Sequence, residues 1–376
     1  MLRRVVFDKE KTIAFSGEVS RGVAAAINGI LRSKGNRYTD ALLDIPLKKA
    51  QGTTLQRATL FSAILESQRV DWREHIQIAA SIELLVSSMY LHNRIFDNKG
   101  GIDFSHTSTL GRHIIAGNLC KELACDILRY ETGVDMERVF RWSSEACDYG
   151  QHLAFESRNA FSPFMSRDGS LMLMLSRTYC INAAFFQGIG AIAGALSDVK
   201  SERTDALARW CCAFGMLVQF VNDIADFVPP SFNESTLEKI PSDAFSDLRK
   251  MELSLVLNRL FHANGDLSSE ESCLRSAGKS GVIRSSMRLC HHLARSLARK
   301  AADEGFGQLM GMAFMGLSNR YFRDIKSMME KGVIARGEIS DDDARENSTI
   351  LEIVMNAPEK LWATLPEHLK PRFEYR

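Results

Sequence analysis

Apolar residues recur every three to four positions through most of this 376-residue chain, which is the spacing of helices and not of strands. Ile78, Ile82, Leu85, Met89 and His92 share one stripe; Leu171, Met174, Leu175, Thr178 and Ile181 share another. No alternating run of β-branched residues closes on a hairpin turn. The pattern predicts helices near 18–33, 38–50, 53–67, 73–97, 108–130, 135–155, 169–197, 202–228, 243–263, 280–302 and 305–331. Stops fall at Lys99-Gly100-Gly101, Pro229-Pro230 and Asn264-Gly265, where glycine, proline and asparagine punctuate helices. The stretch 229–243 is polar and turn-rich and reads as a loop. Beyond 336 the chain is acidic and then broken by proline. The expectation is one all-α domain over 1–335, followed by a C-terminal extension, 336–376, with no assigned role.

Charge narrows the partners. The net formal charge is +1, which gives no reason to expect a nucleic acid or an electrostatically anchored membrane partner. The longest apolar stretches, 181–197 and 211–228, are interrupted by Gln187, Gln219, Asn222 and Asp223. They read as buried core helices, with no stable insertion into a membrane. Eight cysteines occur without a CxxC pair, as expected of reduced core thiols in a cytoplasmic, reducing compartment. The apolar run in the first nine residues is too short for a signal peptide.

Two long apolar helices end in polar segments: Leu91-His92-Asn93-Arg94-Ile95-Phe96-Asp97-Asn98 and Gln219-Phe220-Val221-Asn222-Asp223-Ile224-Ala225-Asp226. Asn93 and Asp97 stand four residues apart on one face, as do Asn222 and Asp226. Carboxylates at a helix C-terminus sit against the unfavourable end of its dipole and call for a compensating cation. Oxygen donors on facing helices suit magnesium, which is commonly shared between a few carboxylates and substrate phosphates.

The surroundings of these segments resemble those of the trans-prenyltransferases of the isoprenoid synthase superfamily. The run from Ser81 through Asp97 is similar to the helix carrying that family's first aspartate-rich motif, and Phe214 through Phe227 to the second. Ala116-Gly117-Asn118 resembles the alanine-glycine-aspartate helix, and Arg177-Thr178 the lysine-threonine helix that leads to Gly188-Ile189-Gly190. Gly150-Gln151, Gly35-Asn36-Arg37 and Asp247-Leu248-Arg249 echo three shorter motifs in the right order. The resemblance spans about residues 20–300. It implies an all-α isoprenoid synthase bundle with a central active-site cavity, a prenyl diphosphate substrate, Mg2+ and pairing into a homodimer.

Departures from the motifs shape the expected activity. Asn93 and Arg94 replace the two leading acids of the first motif, Asn222 replaces the leading acid of the second, and Asn36 replaces a lysine. An elongating synthase uses those cations and acids to hold two diphosphates. Asn222-Asp223, Arg177 about 45 residues before it, and Arg320-Tyr321 beyond the core resemble features of class I terpene synthases. The resemblance therefore implies cyclisation of a C15 or C20 allylic diphosphate, with Asp97, Asn222, Asp223 and Asp226 holding metal. Arg177, Arg320 and Tyr321 would grip the leaving group. Arg37, Asn93, Arg94, Phe96, Thr178, Phe185, Gln219 and Phe220 would contact the substrate. Three alternatives stand beside it: prenyl transfer to an acceptor other than isopentenyl diphosphate, ordinary polyprenyl diphosphate synthesis, and a catalytically silent subunit of an active synthase.

Overall fold

The structure is a computed structural model that describes residues 9–33, 55–96, 107–156, 166–197, 201–227, 245–317, 320–332 and 335–371. Its elements are helical, and no strand occurs among the described residues. In chain order they are α1 (Lys9–Ser33), α2 (Gln56–Ser67), α3 (Ile76–Phe96), α4 (Thr107–Thr132) and α5 (Val134–Glu156). Next come α6 (Arg167–Leu196), α7 (Ser201–Ala225), α8 (Ser246–Lys250), α9 (Leu255–His262) and α10 (Glu270–Lys279). The last are α11 (Val282–Asp303), α12 (Gly307–Met315), α13 (Arg320–Glu330), α14 (Asp341–Asn356) and α15 (Pro358–Trp362).

The bundle is built around α6 and α7, whose residues leave little polar surface to present to water. Every residue from Ala184 to Gly194 is buried, as expected of a helix that is apolar on all sides. By length and composition α6 could cross a membrane, yet 83% of its most apolar window is buried inside the protein. Gly215 shows how closely the two helices pack, because a Cβ there would lie 2.7 Å from Ala183 Cα. Trp210 of α7 stacks on Phe214 and donates its indole N–H to Leu297 O of α11 at 2.9 Å. Helices α5 and α2 cover α6, α3 pairs along α4, and α1 lies over α2 and α3. All eight cysteines are buried and free. Burial pushes the thiols of Cys147, Cys212 and Cys273 up to about 12, so they stay protonated at neutral pH.

The differences from the sequence pattern have physical causes. Helix α1 begins at Lys9 and not at 18. The single helix expected over 243–263 is broken into α8 and α9, with Phe245 and Met251 in the left-handed region at φ 55° and 53°. Two carboxylates from α7 and the turn after it draw off the backbone there: Asp226 accepts from Asp247 N at 3.1 Å and Asp223 from Leu255 N at 2.9 Å. Helix α10 appears where the pattern shows only a stop, capped by Ser269 on Ser272 N. The helix expected over 305–331 is divided at Gly316 and Leu317. The expected helix 38–50 and the loop 229–243 lie outside the described residues.

The C-terminal extension packs into the body. Arg259 of α9, 1% exposed, donates to Glu346 Oε1 at 2.7 Å and Asn347 Oδ1 at 2.8 Å on α14. Arg167, at the start of α6, donates to Glu346 Oε2 at 3.0 Å and Asp343 Oδ1 at 2.9 Å. Further on, Trp142 donates to Leu369 O at 3.1 Å.

A two-chambered candidate active site

Between the C-terminal halves of α3, α5 and α7 and the middle of α6 lie two adjoining chambers of about 570 and 330 Å3. Asn93, Gln151, Ile181, Gln219 and Asn222 line both, so these residues form the passage between them. The larger chamber is bounded by Val86, Met89 and Tyr90 of α3, Phe185 of α6 and Arg57 of α2. Its size falls in the range of roughly 300–1,000 Å3 that ligand pockets occupy. The smaller chamber is polar and bears Arg177, Asp223, Asp226, Asp247, Lys250 and Glu252.

One irregularity opens the passage. Helix α6 loosens into a π turn over Tyr179–Ala183, a feature that often marks functional positions in long helices. Ile181 and Asn182 of that turn face the large chamber. Helix α5 meets the turn at Gly150, where a Cβ would lie 2.6 Å from Ile181 N. That close approach brings the next residue, Gln151, to both chambers, a physical reason for glycine-glutamine at this point.

The acid wall is held from several sides. Asp223, 1% exposed, accepts from Gln219 Nε2 at 2.9 Å and from Leu255 N at 2.9 Å. Burial, and then the Asp247 carboxylate, push Asp223 up to about 6 against the opposing pull of Arg177 and these hydrogen bonds. Arg177 is equally committed. Its Nη2 donates to Glu252 Oε2 at 3.0 Å and its Nη1 to Leu253 O at 3.3 Å, while its buried Nε has no hydrogen-bond partner. The arginine expected to grip a leaving group is therefore held by an internal carboxylate. Asn222 is exposed and Asp226 half-buried at the rim.

The donor set is one a hard dication accepts: carboxylate and amide oxygens only, with more acids than cations in the small chamber. Among the described residues no three His, Cys, Asp or Glu side chains converge as a preformed cage. The wall is thus a partial site of the sort magnesium takes when water and substrate oxygens complete its octahedron.

Several expected contacts fall elsewhere. Phe220 and Thr178 are fully buried and line neither chamber; Phe220 packs in the core, and Thr178 turns back on Met174 Sδ at 3.7 Å. Phe185 does line the large chamber, as do Asn93 and Gln219. Arg37 and Asp97 lie outside the described residues, as do the side chains of Arg94, Phe96, Arg320 and Tyr321; Arg320 and Tyr321 open α13, which packs on α7.

Two residues were not anticipated in the pattern. Arg57 donates to Asn182 Oδ1 at 3.3 Å, sits over the Phe186 ring at 5.3 Å and leaves its buried Nε without a hydrogen-bond partner. Its signal was an arginine in the first turn of an otherwise apolar helix, where the dipole disfavours a cation. Glu252, the counter-ion of Arg177, carried no signal, because the broken helix that presents it read as continuous.

No family model matches the sequence, and no curated protein sequence does. Solved structures do match. A polyprenyl synthase from Caulobacter crescentus superposes with a TM-score of 0.68 at 17% identity, covering 85% of this chain and all of that one. The fold is that of the prenyl diphosphate synthases. A geranylgeranyl pyrophosphate synthetase from Geoglobus acetivorans has a TM-score of 0.67 at 16% identity, covering 82% and 99% of the two chains. A heptaprenyl diphosphate synthase from Staphylococcus aureus has 0.66 at 18% identity, covering 81% and 98%. The all-α bundle with a central cavity, implied by the motif resemblance, is therefore the observed prenyl diphosphate synthase fold.

Proposed function

We propose that this protein ionises an allylic prenyl diphosphate, with the diphosphate in the polar chamber and the prenyl chain in the larger one. The observation that carries this reading is a small, strongly polar chamber that opens into a larger and more apolar one, which fits an amphiphile with a compact anionic head. The Caulobacter structure was obtained with calcium and isoprenyl diphosphate, and the same class of ligand suits these chambers. Asn222, Asp223 and Asp226 are the residues that would hold Mg2+. Bound there, the ion would neutralise charge on the leaving diphosphate. Arg177 would exchange Glu252 for diphosphate oxygens, which its planar fork matches. Gln219 would keep Asp223 oriented during that exchange.

The fate of the allylic cation separates two readings. Arg57 favours transfer to a polar or anionic acceptor, because its side chain lines the chamber where the cation would form. In that reading the C–O bond to diphosphate breaks, a bond to the acceptor forms, and the acceptor loses a proton. His92 lines this chamber, and its pKa is lowered chiefly by burial, while its ring is hydrogen-bonded to the Ile114 backbone and the Asn118 side chain. Cyclisation to a C15 or C20 terpene is the second reading, favoured by Asn222-Asp223 and by the missing leading acids of the first motif. A catalytically silent subunit predicts no turnover with any substrate.

Purified protein incubated with magnesium and geranyl, farnesyl or geranylgeranyl diphosphate, with and without isopentenyl diphosphate or aromatic acceptors, separates these by mass spectrometry of the products. Diphosphate release that depends on Asp223 is expected. A product containing the acceptor supports transfer, and a hydrocarbon or terpene alcohol from one diphosphate alone supports cyclisation. Absence of diphosphate release with every substrate would overturn the proposal.

A further inference from the structure

The near-zero net charge conceals a cationic face on α11. Arg284, Arg288, His291, Arg295 and Arg299 are all exposed and recur at spacings of three or four residues, which places them on one side of a helix. At 1.5 Å rise per residue the row is about 22 Å long. The one acid of α11 is its last residue, Asp303, four positions beyond Arg299. None of the four arginines has an ion-pair partner among the described residues. The charged groups that act on His292, beside this row, are Arg288 and Arg295, both basic.

Several exposed helical cations elsewhere are neutralised locally, as in Arg275–Glu271, Arg345–Asp342, Arg141–Glu137 and Lys326–Glu330, while Arg21, Arg32 and Arg112 stand singly without an ion-pair partner among the described residues. Local pairing is how a solvated helix face is ordinarily built. What sets α11 apart is that its unpaired arginines fall in one row on one side of a single helix.

We infer that this face is a docking surface for an anionic lipid bilayer. The opposite side of α11 is fully engaged, with Leu289, Leu293 and Leu297 at 0% exposure in the core. The helix therefore has no apolar face to insert, and contact must be electrostatic and peripheral. A straight row of guanidinium groups suits a plane of lipid phosphates. A single-stranded nucleic acid would also need aromatic stacking platforms. The exposed large hydrophobics, among them Tyr90, Ile115 and Tyr130, lie on other helices, and none is on α11.

The test is sedimentation of the full chain with vesicles of phosphatidylcholine alone, or with about 30 mol % phosphatidylglycerol, at low and high salt. An Arg288→Gln/Arg295→Gln variant runs in parallel; neither residue belongs to the chambers, and thermal unfolding checks its fold. Binding to the anionic vesicles only, weakened about tenfold or more by the double substitution and by about 0.5 M salt, is the expected result. Equal binding to both vesicle types, no binding, or a variant that binds as well as the parent would overturn the inference. So would tighter binding of a single-stranded or duplex oligonucleotide than of anionic vesicles under the same conditions.

Discussion

Glu252 sits where an anionic ligand would be expected, against the guanidinium of Arg177, and both side chains are buried. Breaking such a pair is costly unless a new anion takes the vacated position. Glu252→Gln should therefore bind inorganic diphosphate about tenfold more tightly than the parent, measured calorimetrically. Arg177→Gln should bind it at least tenfold more weakly. An unchanged affinity in both variants would mean that the head group binds elsewhere. Asp223 gives a second test. Its folded pKa is raised, so between about pH 4 and 6 the folded metal-free protein holds a proton that the unfolded chain has lost. Stability contributed at this site is present at low pH and declines as pH rises through that window, by about 2–3 kcal/mol at most. The difference between parent and Asp223→Asn unfolding free energies should carry this slope, and its absence would contradict the burial of an ionisable acid at this position.

At the scale of elements, α14 holds the site's supports in place. Asp223 receives the first N–H of α9, and Arg259 on the same short helix is fixed by Glu346 and Asn347. A route of hydrogen bonds thus runs from the C-terminal extension to the acid wall. Glu346→Gln removes one carboxylate from two arginines, one of them fully buried, and should destabilise the protein by about 3–5 kcal/mol in urea unfolding. A loss below about 1 kcal/mol would show that the extension is not energetically joined to the bundle. None of this was legible in the chain, because an acidic, proline-interrupted tail looks alike whether it packs or floats. The α6 and α7 helices were legible, since their apolar periodicity is long and nearly unbroken. The split between α8 and α9 was not, because carboxylates from α7 and the turn after it cause it, and local periodicity cannot register a distant partner.

For the whole molecule, the ordered motifs led to the observed bundle, and Asn93, Arg177, Gln219, Asn222, Asp223 and Asp226 line its two adjoining chambers. Spacing along a helix fixes which residues share a face, so the polar ends of α3 and α7 could be read as neighbours of one site. It does not fix which side chain is already occupied, and so Arg177 looked free when it is paired. Nor could it reveal Arg57, which reaches the cavity only through the packing of α2 on α6. The paired chambers are the central claim, and calorimetric titration with a farnesyl thiolodiphosphate, whose carbon–sulfur bond resists ionisation, tests it most directly. In the presence of magnesium this analogue should bind at least about tenfold more tightly than inorganic diphosphate, because its tail leaves water for the larger chamber. Equal affinity for the two, or no binding of either, would contradict the assignment of the chambers to the head and tail of a prenyl diphosphate.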